Sequence, residues 1–185
     1  MLGFLRIFSK THRQMRRGGQ AILRTVLDQA RQPAFYEAAE VADTITGRFD
    51  LLTAHAFLVM RALRPYPELA ELNQAFLDAL FANIDGSFRE LGVSDTRVPR
   101  KMRQAAEAFY GRLGAYEKGL GDNGLEGLMG ALQRNLYRDE TPGDGTLDAM
   151  ARYMVGSLGR LALIDNADWQ SGRLSFAPLE LGSRS

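Results

Sequence analysis

The stretch VADTITGRFDLLTAHAFLVMRAL, Val41 to Leu63, decides how the rest of the chain is read. From Leu51 to Met60 nearly every residue is apolar, and Phe49, Leu51, Leu52, Phe57, Leu58, Val59, Met60 and Leu63 leave almost no polar side on a helix. That is the pattern of a central helix wrapped by others. Residues Asp43 to Thr46 offer N-cap chemistry at its start, and Pro65 stops it. Arg48 and Asp50 nevertheless stand at its entrance. Residues two apart on a helix point about 200° from one another, so these charges cannot simply pair together. For a guanidinium at this rim, Asp78 or Asp85 on the next helix is a candidate acceptor. Charges kept in a buried setting must be paired, so Arg48, Phe49 and Asp50 are expected to pin helix packing, with contact to a partner molecule as the alternative.

Outward from this helix, spacing at three and four residues dominates and strand alternation is nearly absent. Residues 2–17 form a first candidate helix, interrupted by Gly18-Gly19, and 20–31 a second with Ile22, Leu23, Val26, Leu27 and Ala30 on one face. Pro33 ends it at the RQPAFY turn. After Pro65, the positions Leu69, Leu72, Phe76, Leu80, Ile84, Phe88 and Leu91 keep a helical rhythm up to Gly92. Pro99 opens another helix, on which Met102, Ala106, Phe109, Leu113 and Tyr116 recur. Two more are predicted at about 124–138 and 146–164, split by the loop DETPGDGT. From Asp165 onward no period is clear. The fold class is therefore all-α, one bundle of about six or seven helices. Its parts are a basic amphipathic segment at 1–19, a helical domain at 20–164 and an irregular tail at 165–185.

Composition narrows the function. The 185 residues are 45% hydrophobic and 24% charged, as in ordinary globular domains. No cysteine is present, which removes a disulfide framework, a thiolate zinc site and a cysteine nucleophile, and suits a reducing compartment. Net charge is only +1, yet seven of the 23 basic residues and one of the 22 acidic ones lie before residue 32. A basic front on a neutral-to-acidic body suits an anionic partner surface. On a helix Phe4, Phe8 and Met15 fall on one side and Arg6, Lys10, Arg13 and Arg17 on the other, as in a membrane-surface helix dispensable for folding. Packing of that stripe on the bundle is the alternative. The longest apolar run is too short to span a bilayer, and Met1–Phe8 makes a poor secretory signal.

Catalytic constellations are not found in the sequence, and no metal or cofactor is expected. Gly119-Leu120-Gly121-Asp122-Asn123-Gly124 matches GxGxxG literally, but it lies between helices with no strand before it, and is read as a turn. Gly156-Ser157-Leu158-Gly159 lacks the spacing of a nucleophile elbow and is read as small-residue packing. His55 is expected to be a satisfied core histidine rather than a ligand or base. Asp78 and Asp85 share a helix face and are expected to be solvated or ion-paired rather than metal-binding. In RVPRKMR, Arg97, Arg100, Lys101 and Arg103 sit at a helix start, where the dipole does not favour them. They are read as a solvated surface, with contact to phosphate or a partner as the alternative that this placement favours.

Five blocks carry a resemblance. RQPAFY at 31–36, DTITGRFDLLTAH at 43–55, FRELGVSD at 88–95 and FYGRLGAY at 109–116 with RNLY at 134–137 resemble the ubiquinol–cytochrome c chaperone family, in order across most of 20–140. The pattern departs at Asn83 and Ser94. The resemblance implies a non-enzymatic, all-helical assembly factor of the cytochrome bc1 complex that binds newly made cytochrome b for haem insertion. It brings Phe109, Tyr110 and Arg112 alongside Arg48, Phe49 and Asp50 as partner-binding or structural candidates. A second assembly factor or the ribosome is a further partner, an anionic membrane surface another, and DNA none. The expected location is the bacterial cytoplasm, peripheral on the inner membrane, or the matrix side in a mitochondrion. The rival classes are an all-helical enzyme of quinone or lipid metabolism and a ribosome- or RNA-binding module.

Overall fold

A computed structural model describes residues 2–138 and 140–181, with side chains from residue 12 onward. The chain is all-α. In order it forms α1 (Leu2–Ala30), α2 (Pro33–Glu37), α3 (Ile45–Leu63), a 3-10 turn (Pro67–Leu69), α4 (Ala70–Glu90), α5 (Val98–Leu132), a π turn (Gln133–Tyr137), α6 (Thr146–Leu161) and α7 (Asn166–Ser171). These fall into two compact units. One holds residues 1–25, 63–105 and 164–174; the other holds 26–62, 106–163 and 175 onward.

The first unit is organised by α4, where Leu72, Phe76, Leu80 and Ile84 bury the stripe that their spacing predicts. Each such side chain contributes about 2 kcal/mol relative to exposure. The predicted break at Gly18-Gly19 does not occur, and α1 runs through it as one helix. The glycines serve contact instead. A Cβ on Gly19 would lie 2.6 Å from the backbone of Phe76, and one on Gly18 would lie 2.7 Å from Leu72 and 2.9 Å from the Gln170 carbonyl. Tertiary contact here outweighs the propensity cost of about 1 kcal/mol per glycine.

The chain from Asp165, expected to be irregular, carries α7. Asp165 caps it by accepting from the Asp168 amide at 2.8 Å, and Trp169 is wholly buried. Gly172 then takes a left-handed φ of 70° pressed on Ala21, and its carbonyl accepts from the Thr25 hydroxyl at 2.7 Å. Beyond it, residues 173–181 have no regular structure.

The second unit surrounds α3. Thr44 caps it by accepting from the Gly47 amide at 3.0 Å, and Leu51, Ala54, Ala56, Phe57, Leu58, Val59 and Ala62 are buried, as the apolar run requires. The GxGxxG segment is indeed a turn. Asn123 and Gly124 leave helical geometry inside α5, and the chain doubles back so tightly that a Cβ on Gly119 would lie 2.7 Å from the Gly127 carbonyl. Ser157 of α6 is buried and accepts from the Ala177 amide at 3.0 Å, so the second small-residue segment is packing.

Two glycine substitutions separate contact from propensity. Gly19→Ala should lose about 1–3 kcal/mol in denaturant unfolding through overpacking, whereas Gly114→Ala, in α5 with open space around it, should gain about 1 kcal/mol.

Candidate functional site

Asp50 has no exposed surface. Its carboxylate lies 2.7 Å from Arg112 Nη2 and 2.8 Å from Arg138 Nε. Arg112, itself buried, also donates to the Ala108 carbonyl at 2.8 Å and places its guanidinium 5.4 Å from the Phe49 ring centre. Burial raises the Asp50 carboxyl above its ordinary range, and the two arginines only partly offset this. Removing a carboxylate and a guanidinium from water costs several kcal/mol per ion, which close opposite charge must repay.

Arg138 is the member of this cluster that the sequence reading missed. It ends the π turn with φ 55° and ψ −110°, a conformation that costs a non-glycine residue about 1–3 kcal/mol. Local bonds hold it there. Its amide donates to the Gln133 carbonyl at 2.6 Å, and Gln133 Nε2 donates to the carbonyls of Arg138 and Glu140. Beside it Tyr137 donates to the Ala39 carbonyl at 2.8 Å, and the Gly143 amide donates to Glu40 at 2.7 Å. The only signal for Arg138 in the sequence is its place directly after RNLY.

Arg48 behaves differently from the expectation that paired it across helices. It donates to Asp43, five residues earlier, at 2.6 Å, with both side chains 56% exposed, and its guanidinium lies 5.6 Å from the Tyr36 ring centre. That hydrogen bond lowers the Asp43 carboxyl. The candidate acceptors are engaged within α4: Asp78 accepts from Gln74 at 2.7 Å, and Asp85 pairs with Arg89 at 2.8 Å. Arg48 is therefore a surface charge at the start of α3, and of the two only Asp50 is buried.

His55 is the satisfied core residue its position predicts. Its Nδ1 stands 2.8 Å from the Leu51 carbonyl and its Nε2 2.7 Å from the Tyr153 hydroxyl. A carbonyl can only accept, so Nδ1 carries the proton and Nε2 accepts from Tyr153. Gln29 donates to the same hydroxyl at 3.1 Å, and Phe35 meets both rings edge-on. Burial pushes the imidazole down to about 4, so it is neutral at pH 7.

The remaining candidates separate by exposure. Phe109 is buried, while Tyr110, against it at 5.3 Å between ring centres, is 52% exposed. Arg97, Arg100, Lys101 and Arg103 are exposed around the start of α5, whose first turn holds no acid. Arg13 and Arg17 are exposed and Met15 is half-buried. The side chains of Phe4, Arg6, Phe8 and Lys10 lie outside the described residues.

The sequence model of a family described as Ubiquinol-cytochrome C chaperone matches residues 37–176. The crystal structure of the Cbp3 homolog from Brucella abortus is similar, with a TM-score of 0.81 and 30% identity over 95% of this chain and 97% of that one. No curated protein matches. The match runs past residue 137, where the quoted blocks end.

Two outcomes follow for stability. Asp50→Ala should lose about 3–5 kcal/mol in denaturant unfolding, because it strands the buried Arg112, while Arg48→Ala should melt close to wild type. The pH dependence isolates His55. Above its unfolded value of 6.5 the ring is neutral in both states, and its contribution is fully present. Between 6.5 and about 4 the unfolded chain takes up a proton that the folded one refuses, and about 1.4 kcal/mol is lost per pH unit. Asp50 has the opposite sign, its raised value favouring the fold toward acid. The difference in stability between wild type and His55→Gln across pH 4–7 cancels Asp50 and should show the His55 slope.

Proposed function

Since the chain belongs to the ubiquinol–cytochrome c chaperone family, we propose that it is a non-enzymatic assembly chaperone for the cytochrome bc1 complex that binds newly made cytochrome b at the membrane. The observation that carries this reading is the meeting of the family-like blocks at Asp50. GRFD supplies the carboxylate, FYGR supplies Arg112, and Arg138 follows RNLY. RQPAFY supplies Phe35 against His55. The polar groups a catalyst would draw on are committed to packing: Asp50 to two arginines, His55 to a carbonyl and a tyrosine.

Membrane attachment is assigned to the basic front half of α1, with Phe4 and Phe8 toward the acyl boundary and Arg6, Lys10, Arg13 and Arg17 toward anionic headgroups. Met15, placed in the same stripe by the sequence, lines the side of α1 next to α4. Each basic residue near a charged leaflet is worth about 1 kcal/mol, so four give reversible attachment. Among the described residues no helix is long and apolar enough to cross a bilayer. The exposed Tyr110 and the exposed basic residues Arg97, Arg100, Lys101 and Arg103 are assigned to a second assembly factor or the ribosome.

Deleting the gene should deplete spectroscopically assembled cytochrome b and leave quinone pools normal. Normal bc1 spectra, or turnover of a quinone precursor by the purified protein, would contradict the reading. Removing residues 1–11 should leave the melting temperature within about 2 °C of wild type and abolish flotation with anionic liposomes. A large thermal loss, with no liposome binding by the full chain, would place that segment in the fold instead.

A further inference from the structure

We propose that the groove between the front half of α1 and α4 docks an amphipathic helix of the client membrane protein, an inference that rests on the chaperone reading above. At Gly18 and Gly19 the two helices touch closely enough to exclude a Cβ. Toward the N-terminus of α1 the walls stand apart and leave about 520 Å3. Met15 lines it from α1, and Ala75, Ala79 and Ala82 line it from α4. Those alanines recur at i, i+4 and i+7, so three small side chains form one shallow stripe that lets another helix approach closely. Met15 adds a side chain that adapts its shape to what lies against it.

The rims say what fits there. His12 and Arg16 stand on the α1 wall, Glu71 and Asp78 on the α4 wall. An apolar floor between a basic and an acidic wall matches a helix whose apolar face has acidic residues along one edge and basic residues along the other. Reversed, that helix meets like charge on both sides, so the rims set its direction as well as its register. Helices that lie at the membrane interface present an apolar face of this kind beside a charged one.

The test uses the full chain in its host, with the photo-crosslinking residue p-benzoylphenylalanine at Ala82, which is exposed, and at Val155 of the other unit as an exposed apolar control. Cytochrome b should crosslink at Ala82 and not at Val155. Filling the groove with Ala79→Trp or Ala82→Trp should cut the cytochrome b that co-purifies about tenfold, and Asp78→Lys about fivefold, with melting temperatures near wild type. Ala82→Trp alters an exposed position, so it reads the groove even if Ala79→Trp fails to fold. If wild type retains cytochrome b and both folded tryptophan variants retain as much, the groove is wrong and the chaperone reading stands. Lipid or a second copy of this chain crosslinked at Ala82 in place of cytochrome b also overturns the groove. If wild type retains no cytochrome b and the deletion strain has normal bc1 spectra, the chaperone reading itself fails.

Discussion

Taking a carboxylate out of water costs several kcal/mol, and Asp50 is wholly out of water. The cations that answer it come from residues 62 and 88 positions further along the chain. Their delivery shapes much of the second unit. Arg112 must reach in from α5, so that helix is fixed beside the entrance of α3. Arg138 must turn back from the end of a π turn, and it does so through a backbone conformation that a non-glycine residue rarely adopts. The strain is sustained because Gln133, Tyr137 and Glu40 tie the same corner down. A buried pair of this kind is weak evidence for net stability, since an apolar replacement often does as well. What it supplies is discrimination: a helix displaced by one turn leaves a charge stranded.

The all-α class and most elements were legible because they follow from apolar spacing, and spacing is a local property. The central helix was read from Leu51 to Met60, and the turn at Gly119–Gly124 from the lack of a strand before it. Three readings failed, two because a distant contact decided them and one because a local pair replaced the distant one expected. Gly18-Gly19 has the local signature of a break, yet it serves a close crossing with α4. Trp169 sits in a stretch without clear period, yet a single capped turn buries it completely. Arg48 and Asp50 have the same local setting, and only the fold shows that one meets an exposed Asp43 while the other meets two arginines. Arg138 had no signature of its own, because a π turn and a positive φ are consequences of packing.

This arrangement bears on what family-like motifs mean. Blocks such as GRFD and FYGR are distinctive enough to suggest an active centre, but Asp50 and Arg112 face each other, Arg48 pairs with Asp43 at the surface, and Phe109 is buried. Tyr110 is the exposed exception in FYGR. A chaperone for a hydrophobic membrane protein has no need of a poised nucleophile; it needs a framework that stays folded and surfaces that a client can occupy briefly. The second unit, with its committed charges, meets the first need. As proposed above, the groove between α1 and α4 of the first unit serves the second need.

The claim that Asp50 locks the motif blocks together is tested most directly by a double-mutant cycle on Asp50→Ala and Arg112→Ala, followed by denaturant unfolding at neutral pH. The account predicts a coupling of about 2 kcal/mol or more, because each single variant strands the partner charge while the double variant strands neither on the other's account. Additivity within about 0.5 kcal/mol would mean that the two side chains do not depend on each other, and would contradict the account.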